Sequence, residues 1–260
     1  MISKNQIKFI RQLELKKFRR RKGLFVAEGP KVVGDLMKHY RPEAVFATQE
    51  WASIGNQEIG CTIVTSDELR RISFLQHPQQ VVALFPIPEE TTDGGPTNDK
   101  LSLALDGIQD PGNLGTIIRI ADWFGIEDIY CSEDTADAYN PKVVQATMGS
   151  LAHVHIIYTD LPTLLDGLPS DYPIYGTLLD GQDIYRQPLS QQGIIVMGNE
   201  GNGISEAVRQ RVNCRLLIPS FHQGDTAESL NVAIATAITC SEFRRRAQEK
   251  CPASILLAGH

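Results

Sequence analysis

Strand-like and helix-like segments alternate from residue 101 onward, and this alternation limits the fold more than any other feature of the sequence. Short apolar runs predict strands at 101–105, 128–131, 153–158, 174–179, 193–197 and 215–218. Apolar residues at helical spacing predict helices at 114–124, 142–148, 161–168 and 205–211, and a closing helix from Leu230. Such alternation indicates an α/β fold with a mostly parallel sheet that is covered on both faces.

Ligands of parallel sheets bind beyond the carboxyl ends of the strands, so the loops that follow strands are the first places to look for a site. The loop at 106–115 contains an Asp-Pro-Gly-Asn turn, in which Asn113 is placed to cap the next helix. Arg119 follows about one and a half turns inside that helix. An ordinary turn explains the loop when it is taken alone.

A second loop, at 197–203, combines three glycines with the carboxylate of Glu200. Glycines allow a ligand to approach the backbone closely, but a carboxylate would repel a pyrophosphate. The glycine spacing also differs from that of the common phosphate-binding motifs. The loop therefore favours a ligand that lacks phosphate or carries positive charge, and a plain glycine turn is the alternative.

A third loop begins at Ile218 and leads into the last predicted helix. Ser229 is predicted as the N-cap of that helix, which is rich in alanine and other apolar residues. Asn231 places a polar amide in the first turn of this apolar helix. It is either a partner of the local backbone or a member of a functional site.

The first 22 residues contain nine basic side chains and one acidic one, a local charge of +8. Because the whole chain carries −6, the remainder carries −14. Apolar residues at helical spacing predict that this basic segment is helical and ends at Gly23. A concentrated positive potential favours a polyanion such as nucleic acid, and a solvated helix face is the alternative.

Residues 86–99 are rich in proline, glycine and charge, and such a composition cannot form a packed core. They predict a linker between a small α/β domain at 1–85 and a larger domain at 100–260. In the first domain, strands are predicted at 44–47, 62–64 and 81–85, and helical segments at 30–40 and 67–72.

The five cysteines are scattered and form no C-x-x-C pair, which argues against a disulfide framework and against a zinc site. We therefore expect no metal, and a reducing compartment, the cytoplasm. No apolar run approaches 18 residues, so we expect no membrane partner. A Rossmann-type nucleotide enzyme would need a glycine fingerprint after its first strand, and the sequence has none there.

Taken together, the three loops resemble the three motifs of a known family. The patterns are D-x-x-x-D-P-x-N-x-G-x-x-x-R at 106–119, M-G-N-E-G-x-G at 197–203, and I-P followed by E-S-L-N-V at 218–232. They resemble those of the SpoU (TrmH-like) RNA ribose 2'-O-methyltransferases of the SPOUT class. The resemblance covers roughly residues 101–240, and residues 25–29 with the strand ending at Phe85 resemble the family's ribosomal-protein-like substrate-binding domain.

This resemblance implies an α/β domain whose sheet ends in a deep C-terminal trefoil knot. It also implies S-adenosylmethionine as the cofactor, RNA as the substrate, and a homodimer with active sites at its interface. Analogy with two-domain relatives favours ribosomal RNA. Transfer RNA and a non-catalytic RNA-binding module of the same fold are the alternatives.

Individual positions of this chain match functional residues of the family. The matches to its cofactor contacts are Gly198, Ile218, Leu230 and Thr177. The matches to its catalytic and ribose-positioning residues are Asn113, Arg119, Glu200, Ser229 and Asn231. By this resemblance Arg119 acts as the base, whereas the chemistry of guanidinium also allows it to stabilise an alkoxide.

Overall fold

The computed structural model of the protein describes residues 2–54, 60–88, 95–97, 99–222 and 229–249. The chain forms two compact units, one comprising 1–89, 114–119 and 136–153 and the other 90–113, 120–135 and 154–260. Two segments beyond the predicted linker thus cluster with the beginning of the chain. Residues 89–94 and 98 of that linker lie outside the described residues, and the boundary at 86–99 stays a prediction.

The first unit contains a mixed four-stranded sheet. Its strands are β1 (Leu24–Glu28), β2 (Ala44–Ala47), β3 (Thr62–Ile63) and β4 (Val81–Pro86). Its helices up to β4 are α1 (Lys4–Gln12), α2 (Lys16–Lys22), α3 (Pro30–Met37), α4 (Gln49–Ser53) and α5 (Ser66–Ile72). The strand order is β1-β4-β2-β3, and β4 pairs antiparallel with both of its neighbours.

The second sheet has six strands, β5 (Leu101–Asp106), β6 (Asp128–Cys131), β7 (His155–Tyr158), β8 (Ile174–Asp183), β9 (Gly193–Gly198) and β10 (Cys214–Leu217). The helices along this part of the chain are α6 (Pro111–Trp123), α7 (Pro141–Thr147), α8 (Leu161–Asp166), α9 (Glu206–Arg209) and α10 (Val232–Glu249). Every strand pair in the order β10-β8-β9-β5-β6-β7 is parallel. The predicted parallel α/β fold is confirmed.

Strand β9 lies in the middle of this sheet, between β8 and β5. All residues of β5 and β9 are buried, which explains why their sequences are almost continuously apolar. In the register of these two strands, Asp106 lies opposite Gly198. The loops that leave β5 and β9 therefore start side by side at the carboxyl edge of the sheet.

Strand β8 is longer than predicted and pairs with β10 in two separate registers. Cys214 pairs with Tyr175, whereas Leu216 pairs with Gln182, so residues 177–181 lie between two pairing segments. Closer to the end of the chain, residues 223–228 lie outside the described residues, and the trefoil knot stays a prediction. Among the helices that the structure describes, none is long and apolar enough to cross a membrane.

The basic segment forms two helices where a single helical stretch was predicted. Helix α1 starts at a capping box formed by Ser3 and Gln6, and α2 ends at Gly23, whose φ of 62° is readily adopted by glycine. The chain turns between the two helices at Leu13, which is fully buried. The two helices therefore meet at a corner of the chain.

Arg19 secures this corner and is itself buried. Its Nη1 donates hydrogen bonds of 2.7 Å to the carbonyl oxygens of Leu13 and Glu14. Its Nη2 lies 2.5 Å from the Oδ2 of Asp137 in an ion pair within the same unit. Arg19 is thus structural, whereas Arg20 is exposed to solvent.

We expect Arg19→Met to lower the free energy of unfolding by about 3 kcal/mol, because it leaves the Asp137 carboxylate and two carbonyl groups without their partner. Urea denaturation monitored by circular dichroism measures this change. Arg20→Met, one position further along, should change stability by no more than about 0.5 kcal/mol. Equal stabilities of the two variants would contradict a structural role for Arg19.

Candidate active site

A cleft of about 560 Å³ opens in the second unit, at the ends of β8, β9 and β10. This volume is typical of sites for small organic ligands. All four residues predicted to contact the cofactor line the cleft: Thr177, Gly198, Ile218 and Leu230. Glu200 and Ser229 also line it, so six of the nine predicted site residues come together around one cavity.

The loop after β9 is a tight turn that closes on its own backbone. Asn199 and Gly203 exchange two backbone hydrogen bonds of 2.9 Å. A Cβ atom on residue 198 would collide with the backbone of Gly203 and Ile204. Gly198 is therefore required by the closure of the loop itself, in addition to any approach by a ligand.

Asn199 holds this loop in shape and ties it to the neighbouring one, a role that the sequence did not predict. Its Oδ1 accepts hydrogen bonds from the backbone N–H groups of Gly201 and Asn202, at 2.9 and 3.0 Å. Its Nδ2 donates a 2.6 Å hydrogen bond to the carbonyl oxygen of Gly107, in the loop after β5. The two loops are thus fixed relative to each other beside Glu200.

The predicted capping role of Asn113 is wrong. Helix α6 is capped by Asp110, whose Oδ1 accepts a 2.8 Å hydrogen bond from the backbone N–H of Asn113. Pro111 occupies the first helical turn, where it needs no hydrogen-bond partner. Because Asp110 satisfies the helix end, the side chain of Asn113 is free to donate a 2.9 Å hydrogen bond from Nδ2 to Oε1 of Glu200.

The predicted capping role of Ser229 is wrong as well, because Asn231 caps helix α10. Asn231 Oδ1 accepts hydrogen bonds from the backbone N–H groups of Ala233 and Ile234, at 3.0 and 3.3 Å. Its Nδ2 donates a 2.9 Å hydrogen bond to Oδ1 of Asn113. Asn231 is therefore both a partner of the local backbone and a member of the site.

These bonds form a directed chain from the start of α10 to the rim of the cleft. Since Asn231 Oδ1 accepts from the helix, its Nδ2 must donate to Asn113, and Asn113 must in turn donate to Glu200. We call this set the Asn231–Asn113–Glu200 chain. It joins residues from three loops that the sequence singled out separately.

The remaining predicted site residues make fewer contacts. Arg119 is exposed on α6, six residues after Asn113, and makes no hydrogen bond or ion pair with any described residue. Ser229 is exposed at the cleft, next to residues 223–228, which lie outside the described part. The hydroxyl of Thr177 donates a 3.3 Å hydrogen bond to the carbonyl oxygen of Val196.

The composition of the cleft wall indicates the kind of ligand that it can hold. Leu178, Ile218 and Leu230 provide apolar surface, and the glycine turn provides backbone polar groups. The carboxylate of Glu200 favours positive charge. No group of three or more His, Cys, Asp or Glu side chains suited to a metal occurs in the described residues. These groups fit a cationic nucleoside without phosphate, such as S-adenosylmethionine.

Two family models match the chain. The SpoU rRNA Methylase family matches residues 100–241, and the MRM3-like substrate binding domain matches residues 4–83. Among curated proteins, the 23S rRNA (guanosine(2553)-2'-O)-methyltransferase RlmP of Bacillus subtilis is 32% identical over 248 residues, covering 93% of this chain and 97% of that protein.

Solved structures agree with these matches. A TrmH-family protein from Porphyromonas gingivalis is 42% identical, with a TM-score of 0.84, and covers 95% of this chain and 99% of its own. An AdoMet-bound rRNA methyltransferase from Sinorhizobium meliloti is 31% identical, with a TM-score of 0.82, and covers 95% of this chain and 97% of its own. The resemblance inferred from the three motifs is confirmed, and the chain belongs to the SpoU rRNA methylase family.

Proposed function

We propose that this protein transfers a methyl group from S-adenosylmethionine to a ribose 2'-hydroxyl of RNA. The observation that carries the proposal is the Asn231–Asn113–Glu200 chain at the rim of the ligand-sized cleft. It brings polar groups that can orient a hydroxyl next to a cavity suited to a cationic nucleoside. A non-catalytic RNA-binding module would not need this complete polar set.

The cleft residues supply the binding part of this function. S-adenosylmethionine supplies a methyl group on a positively charged sulfur. Gly198, Ile218, Leu230 and Thr177 would hold the cofactor, since all four line the cleft. Glu200 contributes a negative charge at the same wall and makes no ion pair with another described residue, so its attraction for a cation is retained.

The hydrogen-bonded chain supplies the orienting part. Asn113 uses one N–H of its amide for Glu200, so its other N–H can donate to a ribose oxygen. Glu200 accepts from Asn113 through Oε1, which leaves Oε2 to accept from a hydroxyl. Ser229 adds a hydroxyl at the same cleft. Because a 2'-hydroxyl is present in RNA and absent from DNA, methyl transfer to this group requires RNA as the substrate.

Arg119 would act on the developing charge of the 2'-oxygen. A guanidinium keeps its proton at neutral pH, so it is better suited to stabilise an alkoxide than to remove the proton. In that role the proton passes to water or to an RNA phosphate. Arg119 has the required freedom because its side chain is exposed and unpaired among the described residues.

Ribosomal RNA is the substrate class that we favour. The Bacillus subtilis relative, which spans nearly the whole chain, is named as a 23S rRNA 2'-O-methyltransferase. The match of residues 4–83 to an MRM3-like substrate binding domain supports a role for the first unit in holding that RNA. Transfer RNA is the alternative substrate.

Helix α2 presents a surface that is suited to RNA. Lys17, Arg20, Arg21 and Lys22 are exposed, and we call them the basic ridge. The guanidinium of Arg21 lies 4.6 Å and the ammonium of Lys17 5.4 Å from the centre of the Phe18 ring. Basic groups interleaved with an aromatic ring are typical of surfaces that bind phosphates and stack bases.

A homodimer in the cytoplasm completes the proposal. Trp123 at the end of α6 is 85% exposed, and Ile234 on α10 is 53% exposed. Arg244 joins these helices within the second unit, since its Nε donates a 2.7 Å hydrogen bond to the carbonyl oxygen of Phe124. Exposed apolar side chains on two joined helices favour contact with a second copy.

The cofactor site is tested by Gly198→Ala. The added Cβ collides with the backbone of Gly203 and Ile204 and must open the turn that carries Glu200. We expect calorimetry to detect S-adenosylmethionine binding to the parent without added metal, and at least a tenfold loss for the variant. Gly34→Ala in α3 is the control, because a Cβ there has no other heavy atom within 4 Å and Gly34 does not line the cleft. Equal affinities of the two variants for S-adenosylmethionine would contradict the placement of the cofactor at the Gly198 turn.

The chemical step is tested by Arg119→Ala in single-turnover transfer of a labelled methyl group to RNA. Loss of alkoxide stabilisation should reduce the rate roughly a thousandfold, while cofactor affinity stays unchanged. Lysine at position 119 should rescue only part of the rate, because a point charge cannot replace the planar guanidinium. Nuclease digestion should recover the label on ribose. Label on a base would overturn the proposed reaction.

RNA binding by the basic ridge is tested by the double variant Arg20→Glu and Arg21→Glu, which leaves the structural Arg19 in place. RNA affinity should fall, and its slope against salt should flatten by about one for each phosphate that is no longer neutralised. The matched control is Arg70→Glu with Arg71→Glu, an exposed pair on α5. Equal losses for both double variants would assign the effect to net charge alone.

A further inference from the structure

We propose that Arg209 binds the carboxylate of the amino-acid tail of S-adenosylmethionine and that Asp180 positions it. The inference rests on the proposed function and adds to it the residues that would recognise the polar end of the cofactor. Neither residue belongs to the three motifs in the sequence, and both line the same cleft as Gly198 and Glu200.

The charges of the cleft carry the argument. Among the described residues that line it, the charged ones are Asp180, Glu200 and Arg209. Two are negative and one is positive at neutral pH. S-adenosylmethionine has the opposite set, since it carries a sulfonium, an ammonium and one carboxylate. The carboxylate of the ligand therefore has one partner of opposite sign among these residues, Arg209.

The hydrogen bonds indicate which charged residue of the cleft faces which part of the cofactor. Glu200 is bonded to Asn113 and so belongs to the Asn231–Asn113–Glu200 chain, where the methyl group would be transferred. This assigns Glu200 to the sulfonium. Asp180 and Arg209 are bonded to each other instead, which leaves Arg209 for the carboxylate of the tail and Asp180 to hold Arg209 in place.

Arg209 has the donors that this task requires. It sits in the short helix α9, and its Nη2 donates a hydrogen bond to Oδ2 of Asp180. No other side-chain hydrogen bond of Arg209 is formed with a described residue, so its second Nη2 hydrogen, together with a hydrogen on Nε or Nη1, can meet a carboxylate. The planar guanidinium suits a carboxylate especially well, because it can donate two parallel hydrogen bonds.

Asp180 orients Arg209 without cancelling its charge. The same Oδ2 also accepts a 3.2 Å hydrogen bond from Nη1 of Arg215, so one carboxylate is shared by two guanidinium groups. An excess of positive charge therefore remains beside the cleft. A surface ion pair with no ligand is the competing explanation, since exposed pairs contribute little to stability by themselves.

The test compares two probes that differ in the tail. S-adenosylhomocysteine has the amino acid, whereas 5'-methylthioadenosine lacks it and keeps the adenosine. We expect Arg209→Met to weaken S-adenosylhomocysteine binding in calorimetry by about tenfold to a hundredfold, the usual range for hydrogen bonds to a charged group. Binding of 5'-methylthioadenosine should stay within about twofold of the parent.

Arg211→Met is the matched control. Arg211 follows α9 closely, has a similar side-chain exposure of 27% against 31%, and pairs with Asp166 outside the cleft. It should leave both affinities unchanged. Arg209→Lys, which keeps the charge and most of the side-chain length, should restore part of the affinity for S-adenosylhomocysteine only.

The outcomes separate the inference from the proposed function. If Arg209→Met binds S-adenosylhomocysteine as tightly as the parent, the role of Arg209 is refuted while the cofactor assignment stands. Equal losses for both probes would also refute it, because the defect would lie in the cleft as a whole. If the parent binds neither probe, the cofactor assignment and the inference both fail.

Discussion

The parallel pairing of β9 with β5 on one side and β8 on the other is the constraint on which the site depends. Parallel strands end at the same edge, and the register places Asp106 directly opposite Gly198. The loops that follow must therefore run side by side. Asn199 needs only a short side chain to reach the carbonyl oxygen of Gly107, and the glycine turn is held where Glu200 can meet Asn113.

The sequence predicted the strands and the site loops well because their signals are local. Apolar runs located β5 and β9 to within a residue at their ends, and the three motifs contain Asn113, Glu200 and Asn231, which meet at the rim of the cleft. The residues that cap the helices were harder to predict. Asp110 and Asn113 are both good caps, although Pro111 in the first helical turn indicates Asp110. For α10, only the contact of Asn231 with Asn113 shows its second role.

The sequence did not predict the long-range ion pairs. Arg19 stands in a run of similar basic residues, yet it is buried against Asp137. Asp137 lies 118 positions further along the chain, so the local sequence gives no sign of this pairing. Arg209 and Asp180 likewise pair across 29 positions that contain a turn, a strand and a helix. Nothing in a linear pattern distinguishes such residues from solvated charges. Their roles follow from where the fold brings them, and a basic run therefore contains structural and binding residues together.

The two carboxylates of the cleft are held in contrasting ways, and the contrast has a physical consequence. Asp180 contacts two guanidinium groups, so much of its charge is balanced within the protein. Glu200 is held by the neutral amide of Asn113, which is oriented by Asn231, and so it is positioned without being neutralised. Aspartate at position 231 could cap α10 but could not donate to Asn113. An asparagine there joins the start of a helix to a carboxylate that keeps its full charge for a cation.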